Sequence, residues 1–87
     1  YDTWKALDAE LRQRLEAAVQ AGILPEGAEG RALCELHRRW LAMTTPGMDP
    51  DKHRGIAELY VLDERFTQYY DRTVPGCARF LRDAVAR

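Results

Sequence analysis

Between Thr3 and Ala21 the apolar residues Trp4, Leu7, Leu11, Leu15 and Ala18 fall three or four positions apart. That spacing gathers them on one stripe of an α-helix and leaves the intervening charges on the other face. A strand needs a period of two, and no alternating run of β-branched residues occurs in the chain. Helical stripes must therefore be buried against one another, and 87 residues leave room for one core. The expected fold is all-α, about five short helices in a single domain over residues 1–87.

Punctuation residues divide the helices. Asp2 or Thr3 can cap the first, because their side-chain oxygens accept backbone N–H groups that lack a partner. Gly22 and Pro25 end it, after which Ile23 and Leu24 are expected to fold back onto its stripe. A second helix over Ala28 to Met43 carries a stripe of Leu33, Leu36, His37, Trp40, Leu41 and Thr44, and the run Thr44-Thr45-Pro46-Gly47 closes it. The third opens with Asp49 as cap and Pro50 at the first helical position. His53, Ile56, then Leu59 or Tyr60, and Leu62 follow on its stripe. Gly55 within it costs about 1 kcal/mol relative to Ala, so close approach of another element is expected there. Asp63 is a further cap, opening a short helix with Phe66, Tyr69 and Tyr70. Asp71, Arg72 and Thr73 break the pattern, and Val74-Pro75 is expected to begin a last helix with Cys77, Phe80, Leu81, Ala84 and Val85 inward.

Several functions are disfavoured by composition. A net charge of −1 lacks the basic excess of a nucleic-acid surface. No apolar run approaches the roughly 20 residues of a membrane span. Two cysteines without CxxC spacing point to a reduced, cytoplasmic setting. The chain starts at Tyr1 and is expected to be a piece of a longer protein. His37 and His53 form no HxxxH or HExxH pattern, so no metal and no cofactor is expected, and each reads as a stripe-edge residue with a hydrogen-bonded tip. Cys34 and Cys77 read as small hydrophobes, with Cys77 the better candidate for reactivity because a helix N-terminus favours thiolate. No carboxylate is embedded in apolar sequence, and neither a phosphate loop nor a nucleophile elbow occurs, so the chain is not expected to be an enzyme. Trp4, Trp40, Tyr60, Phe66, Tyr69, Tyr70 and Phe80 are many rings for a small bundle. They suit a core, but rings with polar tips also suit a ligand site, and Met43 and Met48 add adaptable contacts.

The order of residue types in the second half of the chain is more specific. Trp40, His53, Gly55-Ile56-Ala57, Leu59-Tyr60, Asp63, Arg65-Phe66, Tyr70-Asp71, Pro75-Gly76, Ala78, Phe80-Leu81 and Asp83-Ala84 together resemble the TipAS antibiotic-recognition domains of MerR-family transcription regulators. The resemblance implies a globin-like helical arrangement without haem, with a cleft for thiopeptides and other bulky, largely apolar antibiotics. It also implies an N-terminal helix-turn-helix domain that binds promoter DNA and a dimerising helix. Both lie outside these residues, so the full-length protein would be a homodimer and this domain a monomer. Helices in 1–43 would be the more mobile part, ordering over the cleft when drug binds, and 49–87 the better-ordered core. The ligand-binding residues expected are Trp40, Met43, His53, Ile56, Tyr60, Phe66 and Tyr70, in a cleft between the second, third and last helices. Some members of the family capture dehydroalanine-containing thiopeptides through a cysteine. Thr44 and Thr45 occupy the loop where that cysteine would be sought, so reversible binding is expected. Tyr69 lies off the motif and reads as core. Two other classes remain open: a helical protein–protein interaction module, and a haem-binding globin-like domain.

Overall fold

The helices at 50–62 and 64–71 start at a side-chain cap, and those at 28–42 and 77–85 start just after a glycine. The computed structural model describes residues 2–86, apart from the side chain of Asp2, so a cap at Asp2 lies outside the described residues, while Thr3, the other candidate, lies within the first helix. Among the described residues five helices follow in order: α1 Asp2–Gln20, α2 Ala28–Ala42, α3 Pro50–Leu62, α4 Glu64–Asp71 and α5 Cys77–Val85. The domain is all-α, as the apolar spacing requires. Asp49 accepts the Lys52 N–H at 2.8 Å ahead of Pro50, and Asp63 accepts the Arg65 N–H at 3.0 Å. Both caps were legible as residue types. Gly22 turns left-handed at φ 72°, and Ile23 N–H reaches back to the Ala18 carbonyl at 3.0 Å, closing α1.

Helix α5 is the hub, since Cys77, Ala78, Phe80, Leu81, Ala84 and Val85 are all buried among its nine residues. It packs against each of the other four helices. Leu11, Leu15 and Ala18 of α1 meet Leu33 and Leu36 of α2, with Ala57 and Tyr60 of α3 and Tyr70 of α4 closing the core. The small side chains of Ala57, Ala78 and Ala84 keep the backbones close. Arg14 holds α1 to α2 through a two-pronged bond to Glu29 at 2.9 and 3.3 Å, and Arg82 reaches Glu58 of α3 at 3.2 Å.

The structure revises three local expectations. The last helix begins at Cys77, not at Val74-Pro75, because Gly76 sits at φ 100°, a left-handed value that cannot continue a helix. Ile23 and Leu24 do not fold back: they are 42% and 64% exposed, and the room beside the α1 stripe is filled by α2 and α5. Gly55 faces open space, whereas Gly30 lies against the Pro25 backbone and is the glycine that a close approach requires.

Asp71 does more than end α4. Its carboxylate accepts the Ala78 N–H at 2.8 Å, seven residues on, and so caps α5 from outside. Asp71→Ala is expected to cost about 1–2 kcal/mol, a fall of roughly 5–10 °C in melting temperature for a domain of this size. A melting curve identical to that of the wild type would deny the cap any energetic role.

Candidate functional site

Four helices place aromatic rings around one cavity of about 480 Å³. Trp4 comes from the start of α1, Trp40 from the end of α2 and Tyr60 from α3, while Arg65, Phe66, Tyr69 and Tyr70 come from α4. The volume lies within the range of pockets that hold drug-sized molecules. On the two turns of α4, residues 65 and 69 share one row and 66 and 70 the next, so one face of a short helix supplies four lining side chains. Thr67 donates to the carbonyl of Tyr60 and ties α4 to the end of α3.

The rings form a connected system. Trp4 stacks on Trp40 with centroids 5.2 Å apart, Trp40 on His37 at 6.1 Å, and His37 on His53 at 4.9 Å, with interplanar angles of 24°, 27° and 26°. Tyr60 stands edge-on to His37 at 5.4 Å and also meets Phe66 at 5.6 Å and Tyr70 at 4.7 Å. Tyr69 completes the wall against Tyr70 at 5.1 Å, and the Arg72 guanidinium covers its ring at 4.9 Å. Among the described residues, the indole N–H groups of both Trp4 and Trp40 are buried without a hydrogen-bond partner. Each such donor costs about 1–3 kcal/mol, which an acceptor brought in by a ligand would relieve.

Behind this wall lies a buried polar chain. His37 and His53 are 0% and 3% exposed. His37 Nδ1 and His53 Nε2 are 2.7 Å apart, and His37 Nε2 lies 3.0 Å from the Tyr60 hydroxyl oxygen. Burial, together with the neighbouring His53, holds the His37 pKa down at about 3, so the ring is neutral at physiological pH. Burial and then the Arg38 charge lower that of His53, and burial raises both Tyr60 and Tyr70.

Of the residues expected to bind ligand, Trp40, Tyr60, Phe66 and Tyr70 meet around the cavity. Met43 is 47% exposed just past the end of α2, Ile56 packs against the core, and His53 reaches the wall only through His37 and Tyr60. The last helix, expected on one side of the cleft, contributes nothing to the lining, because its apolar face is spent on the core. Its place is taken by α1 and α4. Trp4, Arg65 and Tyr69 were not anticipated as lining. The 65/69 and 66/70 spacing could have disclosed two of them, but nothing local marks Trp4, 36 positions from its stacking partner. Neither thiol lines the cavity. Cys77 is fully buried, and burial followed by Asp71 and Glu16 pushes its pKa up to about 11, against the thiolate that a helix N-terminus favours. Burial raises the half-buried Cys34 as well. Among the described residues no cluster of three His, Cys, Asp or Glu side chains could hold a metal ion, and no helix is long and apolar enough to cross a membrane.

Comparison with known proteins gives concordant findings. The sequence profile of the TipAS antibiotic-recognition domain matches residues 1–87. The chain is 34% identical over 76 residues to the HTH-type transcriptional activator TipA of Streptomyces coelicolor, aligning 87% of its own length with 30% of that protein. It is 32% identical over 87 residues to the HTH-type transcriptional activator mta of Bacillus subtilis, aligning 97% of its own length with 33% of that protein. The chain thus spans about a third of the length of these relatives. Among solved structures, TipAS of Streptomyces lividans in complex with nosiheptide superposes with a TM-score of 0.82 at 33% identity, covering 93% of this chain and 56% of that one.

Proposed function

The chain belongs to the family of TipAS antibiotic-recognition domains, and from that premise we propose that it is the effector-binding part of a MerR-type transcription regulator in the cytoplasm. Its ligands are bulky, largely apolar antibiotics of the thiopeptide kind. They enter the cavity between α1, α2 and α4 and stack on Trp40, Tyr60, Phe66 and Tyr70, with Trp4 and Tyr69 extending the wall. Met43, exposed beside the end of α2, contacts the part of a large ligand that projects from the cavity, while Ile56 and His53 support the wall from behind. The observation that supports this reading best is an aromatic cavity of about 480 Å³ beside two buried indole N–H groups without acceptors. Burying roughly 300 Å² of apolar ligand surface at about 25 cal/mol/Å² yields roughly 7 kcal/mol, from which the costs of association and ordering are subtracted. Binding is reversible, since Cys34 and Cys77 both lie away from the cavity. Promoter binding and dimerisation belong to parts of the regulator outside these residues. Helices within 1–43 are the mobile half, and ligand orders their two tryptophans against the rings that 49–87 contribute. That difference in stability between open and closed states is the signal.

Titration with nosiheptide, followed by tryptophan fluorescence, tests this. The expected result is a saturable change, with affinity weakened at least about tenfold in Trp40→Ala at unchanged fold. No saturable change with nosiheptide or with a panel of hydrophobic antibiotics would count decisively against a drug-binding domain.

A further inference from the structure

Two histidines sealed behind the aromatic wall take no part in stacking on a ligand, yet they are joined to one of its rings by two successive hydrogen bonds. Each neutral imidazole carries a single ring proton, and each of the two links holds a single hydrogen. Only two arrangements satisfy both conditions. In the first, His37 bears its proton on Nδ1 and donates to His53 Nε2. Its Nε2 is then bare and accepts the Tyr60 hydroxyl proton, so that hydroxyl offers lone pairs to whatever else approaches it. In the second, His53 Nε2–H donates to His37 Nδ1, the His37 proton sits on Nε2, and Nε2–H donates to the Tyr60 oxygen. The Tyr60 O–H is then released from His37, to its neighbour the Tyr70 hydroxyl or to a ligand acceptor that takes that place.

Because both links share His37, they cannot reverse independently. Moving one proton from Nδ1 to Nε2 of His37, with the matching exchange on His53, reverses the hydrogen-bonding sense of Tyr60. The overall exchange ionises nothing: as the Tyr60 proton passes to His37 Nε2 and the His37 Nδ1 proton to His53 Nε2, His53 Nδ1 gives one proton to solvent and the Tyr60 oxygen takes one up. Tyr60 and Tyr70 both line the cavity and their side chains share a hydrogen bond, so the sense of the Tyr60 hydroxyl reaches the cavity wall. Resting on the binding reading above, we infer that His37 and His53 are positioning residues that make the Tyr60 hydroxyl a reversible donor or acceptor, so that one site takes ligands presenting either an acceptor nitrogen or carbonyl or an N–H or O–H donor. A fixed partner in place of His37, such as a backbone carbonyl, would commit the hydroxyl to one sense and exclude one class of ligand.

The tautomers of ¹⁵N-labelled histidines distinguish the two arrangements directly in the intact domain, with quinoline as an acceptor probe and indole as a donor probe of similar size and shape. The expected result is that quinoline places the His37 proton on Nε2 and indole places it on Nδ1, while both probes move the Trp4 and Trp40 side-chain N–H signals. His53→Leu leaves His37 Nδ1 without a buried acceptor and so fixes the proton on Nε2. The preference for quinoline over indole is expected to rise about tenfold in that variant and to be abolished in Tyr60→Phe. If both probes move the tryptophan signals but His37 keeps the same tautomer with each, the inference is wrong and the pocket stands. If neither probe moves the tryptophan signals at millimolar concentration, the pocket itself is wrong, and the inference falls with it. Should His53→Leu not fold, the wild-type tautomers alone decide.

Discussion

Between pH 7 and pH 5 the domain is expected to lose about 2 kcal/mol of unfolding free energy, and then about 1.4 kcal/mol for each further pH unit down to about pH 3. The cause is His37. Its ordinary pKa is 6.5, burial beside His53 lowers the folded value to about 3, and in that interval the unfolded chain binds a proton that the folded domain refuses. Stability is therefore complete above pH 6.5 and falls as the solution is acidified. His53 is shifted the same way and steepens the slope. The carboxylates held down by arginines, Glu35 beside Arg38 and Asp63 beside Arg65, also lose stability in acid, but their ordinary values of 4.5 and 3.8 keep them out of the window between pH 7 and pH 5. Urea unfolding at pH 7, 6 and 5 isolates the histidine contribution. Equal stability at pH 7 and pH 5 would mean that the folded domain takes up the same protons as the unfolded chain, with both imidazoles charged, and the neutral chain to Tyr60 would then be wrong. A loss of 2 kcal/mol is a large share of what so small a domain holds.

Two glycine-to-alanine substitutions inside helices are expected to act in opposite directions. A methyl group at position 30 would overlap the Pro25 carbonyl, which belongs to a backbone pinned by the turn from Leu24 to Gly27. Gly30→Ala is expected to cost at least about 2–3 kcal/mol, because either α2 must move off the turn or Pro25 must be displaced. It would also shift Trp40 at the far end of the same helix and so weaken ligand binding. Gly55 is in α3 with nothing near its missing Cβ. There alanine brings only the helix preference, and Gly55→Ala is expected to stabilise by about 1 kcal/mol. Chemical denaturation of both variants decides the pair. A stabilised Gly30→Ala would show that α2 does not approach the turn as closely as described.

That pair also marks the limit of what residue order could disclose. Local chemistry was readable: the apolar stripes, the caps at Asp49 and Asp63, and the end of α1 at Gly22 all depend on residues a few positions apart. Gly55 and Gly30 look alike in sequence, and only packing across the turn tells the costly position from the free one. The beginning of α5 moved for a related reason, since Pro75 is compatible with a helix start but the left-handed Gly76 after it is not. At the site, the order of residue types picked out Trp40, Tyr60, Phe66 and Tyr70, which do meet around one cavity. It placed His53 among them, whereas the folded chain puts that ring behind the wall, hydrogen-bonded to His37. Trp4 was invisible as a lining residue because its neighbour Trp40 lies on another helix. Tyr69 was assigned to the core although it shares a helix row with Arg65, a signal present in the spacing and not used.

The central claim is that ligand enters between the tryptophan pair and α4. The chain has two tryptophans, so a ¹⁵N-correlated spectrum shows two indole N–H signals, one from each wall residue. On addition of nosiheptide both are expected to move downfield and saturate together, as donors without partners gain an acceptor, with the amides of Phe66 and Tyr70 moving alongside them. Saturable changes elsewhere in the spectrum while both indole signals stay fixed would place the ligand at another site and contradict the account.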